Sequence, residues 1–305
     1  MAKSKQFLSY EDQVELLRSR GMLIADSTSA ETTLSVLNYY RLSGYWYPMR
    51  HFSGVNCAKD SFKSGASFEL LIELYRFDER LRHAVFHELD PVELALRTML
   101  GHKLGEIDPL VYLNADGLGP KAKEIQKGGR TIHENWLAKF NAALNKSKED
   151  FVEHHRKKYD GVLPIWAAVE LMDWGMLQHL YSISPNQVKR SIAQQCGLSD
   201  AQLLSWLRSL TIVRNYAAHH ARMFNRVYSI RPKLNDDPRL QAIESSTNRA
   251  FGQLSLIQYL HRELGLSTAM VLPEVLNSYP HNDLVPFRRT GAPENWSELE
   301  LWKPI

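Results

Sequence analysis

The chain has 305 residues, 44% of them apolar and 23% charged, with a net charge of +3. That length supports a large buried core and that composition is globular, which excludes a small disulfide-stapled scaffold, a disordered chain and a low-complexity one. No run approaches the ~18 apolar residues of a membrane span, and the N-terminus lacks the apolar core of a signal peptide, so the expectation is a cytoplasmic protein with no membrane partner.

Cys57 and Cys196 have no CxxC partner and imply neither a disulfide framework nor a zinc site. No metal and no cofactor is expected. The stretches Met49–Asp90 and Leu240–Leu272 carry no proline, which favours helices over turn-rich β architectures. The fold class read from this is all-α.

Residues 9–24 predict a short amphipathic helix opening at Ser9, with Glu11 and Asp12 in its first turn where the helix dipole favours carboxylates. Thr28–Leu37 predicts a second. The run Asn38-Tyr39-Tyr40-Arg41-Leu42-Ser43-Gly44-Tyr45-Trp46-Tyr47-Pro48 is dense in aromatics. Such a run fills a core beside a tight turn or stacks bases, and composition favours the core.

Leu70, Leu71, Leu74, Phe77, Leu81 and Val85 fall at helical spacing within Ser67–Leu89. Asp90-Pro91-Val92-Glu93 then has the form of a new helix start, with an Asp cap, Pro in the first position and Glu where a capping box wants it. Glu93 and Arg97 lie one turn apart and can pair. Residues 114–130 gather glycines and lysines and mark a variable loop. A helical pattern resumes over Trp136–Tyr159, and Pro164-Ile165-Trp166 opens a helix holding Glu170, Trp174 and Gly175. Ser199–Asp200 caps a helix running on towards Phe224, and residues 239–264 predict one more. Prolines at 273, 280, 286, 293 and 304 predict an extended tail.

From Ala201 to Asn235 there is no Asp or Glu, while Arg208, Arg214, Arg222, Arg226, Arg231 and Lys233 supply positive charge. Such a segment attracts anions. On a regular helix Asn215, His219, Arg222 and Arg226 would form one polar stripe opposite Leu203, Leu207, Leu210, Ala217, Ala221 and Phe224. Arg214 would lie nearer the apolar seam and needs an acid or phosphate partner, or a local break that swings it round. RNA cleavage by 2′-OH attack requires a proton acceptor, a proton donor and positive charge on the phosphorane. Histidine and arginine are suited to those tasks. Spacing alone does not single out the pair, because Arg82–His87 and Arg97–His102 repeat it.

The segment Arg214-Asn215-Tyr216-Ala217-Ala218-His219-His220-Ala221-Arg222-Met223-Phe224-Asn225-Arg226 resembles the RNxxAHHxRxxNR signature of the Abi-like abortive-infection proteins, the AbiD/AbiF group. Upstream residues agree in the same order: Asn38 to Tyr45, Tyr75-Arg76-Phe77-Asp78 with Leu81-Arg82, Glu93 with Arg97, and Pro164-Ile165-Trp166 with Glu170 and Gly175. Ala217 stands where many relatives carry Cys.

The resemblance implies a branch of the HEPN superfamily, helical bundles whose RNxxxH motif is a ribonuclease site in many members. It implies Arg214, Asn215 and His219 as the catalytic set. His220, Arg222, Arg226, Tyr40, Arg41 and Arg97 are the expected RNA contacts. The implied activity is a metal-independent endoribonuclease acting as a phage-defence toxin of toxin–antitoxin type, with RNA as substrate, a small non-coding RNA as regulator and a homodimer as the working unit. The alternative is a catalytically silent helical module that binds RNA. A third reading has the 214–226 charges paired with Glu93 and Glu170. The expected layout is an N-terminal helical region with the aromatic motif over 1–66, a HEPN-type bundle over 67–272, and an extended tail over 273–305.

Overall fold

Ser9 opens the first helix as its neighbours imply. Its hydroxyl accepts from the Asp12 N–H while the Asp12 carboxylate accepts from the Ser9 N–H, a capping box at the head of α1 (Tyr10–Ser19). The helix stops short of residue 24 because Gly21 takes a φ of +92° and turns the chain. The computed structural model describes residues 5–53, 58–266 and 271–303; Cys57 and Pro304 lie outside that set. α2 (Ser27–Val36) is capped by the Asp26 carboxylate. The aromatic run forms α3 (Tyr39–Trp46), capped by Asn38, rather than a tight turn. Leu42, Tyr45 and Trp46 point inward, and Tyr40 and Arg41 point out. A hairpin of β1 (Arg50–Phe52) and β2 (Ala58–Phe62) follows, antiparallel, with strands too short to leave an alternation in the sequence.

α4 (Phe68–Gly105) is a single helix of 38 residues, about 57 Å long at 1.5 Å per residue. Leu71, Leu74, Phe77, Leu81, Val85, Leu89, Val92, Leu96, Leu100 and Leu104 recur every three or four residues along it and are buried. Truncating one such leucine to alanine costs about 2–5 kcal/mol. The new helix start expected at Asp90-Pro91 is not there, because α4 runs through Pro91. Proline removes the N–H that would reach the His87 carbonyl. At this point His261 Nε2 lies 2.6 Å from the Glu88 carbonyl oxygen, and the buried face continues unbroken from Leu89 to Val92. Tertiary packing thus holds together a helix that local propensity would divide.

Residues 114–130 form short 3₁₀ turns that pack on the core; Ala122 is buried and the Gly119 N–H donates to the Ile183 carbonyl at 2.7 Å. The pattern over 136–159 divides into α5 (Ile132–Lys146) and α6 (Asp150–Lys158), because Ser147 turns extended. α7 (Ile165–Ala168) passes into a 3₁₀ turn, and α8 (Trp174–Ile183) starts afresh under the Asp173 cap, so Glu170 and Trp174 sit on separate elements. α9 (Asn186–Gln195) precedes α10 (Asp200–Ala218), whose Ser199 cap forms a capping box with Gln202.

The helix expected over 239–264 is a 3₁₀ turn, Pro238–Ile243, followed by α11 (Ala250–Glu263). α12 (Val271–Asn277) contains Pro273 in its first turn, where the missing N–H has no partner to lose. Beyond it the chain is irregular and covers the body with Tyr279, Val285, Trp296 and Trp302, the last stacked on Phe251 with ring centres 4.8 Å apart. α3, α7, α8, α9, α10, α11 and α12 all pack on α4, which makes the molecule an all-α bundle around one long helix. Among the described residues no helix is long and apolar enough to cross a membrane.

Candidate functional site

The helix that carries the RNxxxH residues ends inside the motif. α10 stops at Ala218 with His219 as its cap residue, and His220 takes a left-handed φ of +53°. The Ala221 N–H returns to the Tyr216 carbonyl at 2.9 Å and the His220 N–H to that of Ala217 at 3.4 Å, the pair of bonds that closes a Schellman turn. That turn usually takes glycine at the left-handed position, and here it takes the second histidine. The polar stripe expected from Asn215 through Arg226 therefore does not form. Beyond His220 the chain folds back across α3 and α4, so Arg222 and Arg226 leave the axis that Asn215 and His219 share.

What holds this returning segment is a buried carboxylate. Asp78, fully buried on α4, accepts from the N–H groups of Met223 at 3.1 Å and Phe224 at 2.6 Å, from the Tyr45 hydroxyl at 2.6 Å and from Arg82 Nη1 at 2.6 Å. Burial pushes the Asp78 carboxyl up from the usual carboxylate range, and Arg82, Tyr45 and the two N–H groups pull it back. Burial and the Asp78 charge together raise the Tyr45 hydroxyl. Arg222 Nη1 donates to the Gly44 carbonyl, and a Cβ at Gly44 would stand 3.3 Å from Arg222 Nε, so glycine leaves room for the guanidinium. Burial pulls Arg222 below the ordinary arginine value, with Asp78 opposing. Arg41 Nη1 donates to the His220 carbonyl at 2.6 Å. Arg226 lies over the Tyr216 ring at 4.3 Å, with Tyr228 stacked near the same ring.

Of the partners its position allows, Arg214 has an acid. Its Nε stands 4.0 Å from Glu93 Oε2 and its guanidinium lies 5.4 Å from the centre of the Phe86 ring. Glu93 is braced in turn by Arg97 at 2.8 Å, and Arg97 reaches the Glu170 carboxylate at 3.3 Å and the carbonyls of Glu170 and Met172. Burial raises the Glu93 carboxyl, against the lowering pull of Arg97 and Arg214. Asn215, His219 and His220 are exposed.

The structure thus brings Arg214, Asn215 and His219 to the exposed end of α10 with Glu93 and Phe86 beneath. It turns Arg97 inward as a brace, sets Arg222 on the backbone of α3, and leaves Tyr40 on the outer surface of α3. Sequence reasoning assigned no role to Asp78. Its signal was an acid and a base, Asp78 and Arg82, one turn apart on the apolar stripe of α4, where charged residues persist only when paired. Cys196 is buried, which pushes its thiol up to about 12. Among the described residues no three His, Cys, Asp or Glu side chains gather as a metal site would need.

A helical bundle that ends one helix at an exposed Arg-Asn…His group and locks the following segment with a buried Asp–Arg pair is the class of protein defined here. The model of the Abi-like protein family matches residues 32–225, which includes Asp78, Arg82, Glu93, Arg97, Glu170 and the whole Arg214–Asn225 segment. The chain belongs to the Abi-like family. No solved structure matches it.

Proposed function

We propose that this protein is a metal-independent endoribonuclease of HEPN type that arrests growth during phage infection. The observation that supports the reading is the set Arg214, Asn215 and His219 at the exposed end of α10, in a segment without acids from 201 to 235. In this reading His219 exchanges the proton of the attacking 2′-OH or of the departing 5′-oxygen. Arg214, held at the limit of ion pairing by Glu93, turns its fork to the equatorial phosphorane oxygens. Asn215 orients the phosphate or the imidazole. In-line cleavage needs an acid and a base on opposite sides of phosphorus, which the adjacent His219 and His220 of one chain are poorly placed to supply together, so the second histidine comes from His219 of a second copy across a twofold axis.

Products carry 2′,3′-cyclic phosphate and 5′-OH ends and form in the presence of EDTA. The protein acts in the cytoplasm, with RNA as substrate and a small non-coding RNA as its regulator. His219→Ala, tested on purified protein with total RNA, is expected to lower cleavage about 10²–10⁴-fold with an unchanged thermal melt. Wild-type cleavage by a folded His219→Ala chain would overturn the reading.

A further inference from the structure

Away from Arg214 a second group of cations converges from five elements. Lys121 stands in the turn Pro120–Lys123, Lys139 on α5, His179 on α8, Lys189 on α9 and Arg208 on α10. The turn is pinned to the end of α8 by the Gly119 N–H bond to Ile183, and so closely that a Cβ at Gly119 would stand 2.6 Å from the Ser184 carbonyl oxygen. It also packs on α5, while α10 packs on α8 and α9. Among the described residues Lys121, Lys139, Lys189 and Arg208 take part in no salt bridge, although the neighbouring Lys123 pairs with Asp116 at 2.6 Å. Glu124 acts on Lys121 and Asp173 on His179 against the repulsion among these cations; Asp173 also accepts from the Met176 N–H.

We propose that Lys121, Lys139, Lys189 and Arg208 form a docking surface for the phosphodiester backbone of single-stranded RNA, which runs from there along α10 to Asn215 and His219. The proposal rests on the ribonuclease reading for its destination and on this cluster for its entry. Arg208 and Asn215 are seven residues apart on α10, within about 20° of one face and about 10 Å along the axis. Both are exposed, and Thr211 and Ile212 between them are partly so. α10 itself contributes no acid to this route, since none occurs between 201 and 235. The cations act on one another: Lys121 is held below the usual lysine value by burial, then by Arg208 and Lys189, and His179 is lowered by burial, then by Lys139, Lys121 and Arg208. Mutual repulsion of this kind is relieved by a bound polyanion, which supplies the charge the protein withholds.

The test measures fluorescence anisotropy of labelled oligouridine across a salt series, in a His219→Ala background so that nothing is cleaved. Lys121→Glu with Arg208→Glu is expected to weaken binding about tenfold or more and to make the salt slope shallower by about 1.4, at about 0.7 for each phosphate no longer neutralised. Because Lys121 is half-buried, Lys139→Gln with Arg208→Gln serves as a second variant at exposed positions, with a shift in the same direction. Lys157→Glu with Lys158→Glu on α6 changes net charge equally and is expected to leave the slope intact. An unchanged slope in both cluster variants, or an equal loss in the α6 variant, overturns the docking surface while leaving the ribonuclease reading standing. A wild-type chain that binds no RNA overturns both.

Discussion

Arg82–His87 and Arg214–His219 share one spacing and differ in everything the tertiary structure adds. Arg82 is 2% exposed and its Nη1 donates to both Asp78 and Tyr45. Its histidine lies outside, 3.4 Å from the buried Glu88 carboxylate. Arg214 keeps 27% of its side chain exposed, touches its acid only at 4.0 Å and ends a helix on an exposed histidine. Arg97–His102 follows the first pattern, with Arg97 tied to two carboxylates and two carbonyls. An arginine whose fork is already occupied holds the fold. One left loosely held at a helix end is available to a phosphate.

The comparison is broken most severely by removing Asp78. Asp78→Ala leaves Arg82 as an uncompensated buried charge and strips two N–H groups of their acceptor, so denaturant unfolding is expected to show a loss of about 3–5 kcal/mol. Arg214→Ala is expected to cost less than about 1 kcal/mol. Equal costs would erase the distinction between the two arginines.

A smaller effect falls on cleavage. Arg214→Lys keeps the charge and removes the fork, and turnover on a fixed RNA substrate is expected to fall about tenfold to a hundredfold. Full activity would mean that a point charge suffices. Smaller again is His220→Gly, which relaxes a left-handed residue and is expected to raise stability by about 1 kcal/mol. A destabilised glycine variant would give the His220 side chain a structural part that the turn alone does not assign.

The smallest effect is in pH. Burial pushes the Glu88 carboxyl up, with His261 and then His87 opposing, so the folded chain gives up that proton at a higher pH than the unfolded chain does. That contribution is complete below the ordinary glutamate value and is lost as pH rises through the higher folded value. Glu88→Gln is therefore expected to flatten the stability profile from about pH 4.3 upward. Identical profiles would mean that Glu88 keeps an ordinary pKa in the folded chain.

The signals that were legible in the sequence were local ones. Ser9 and Ser199 announce helix starts through side chains three residues from their partners, and the apolar spacing of α4 shows which face is buried. That Arg214 needs an acid, a phosphate or a local break also followed from its place on the helix, and the structure puts Glu93 beside it. The signals that misled were equally local. Asp90-Pro91 has every mark of a helix start, and the pattern over 214–226 has every mark of a continuing helix. In both cases distant groups decided otherwise: packing against α11 with His261 at the Glu88 carbonyl in the first, and the Asp78 carboxylate gripping Met223 and Phe224 in the second.

The sequence by itself determined the all-α class, the family, and the identity of the arginine, asparagine and histidine that stand at the end of α10. These depend on residue type and on spacings of three or four. The tertiary structure alone decided where α10 stops, which arginines are consumed by carboxylates and carbonyls, and that Asp78 ties the segment after the motif to a helix nearly 150 residues earlier. A buried charge binds whatever donors the fold delivers to it, and no spacing along the chain records which donors those will be.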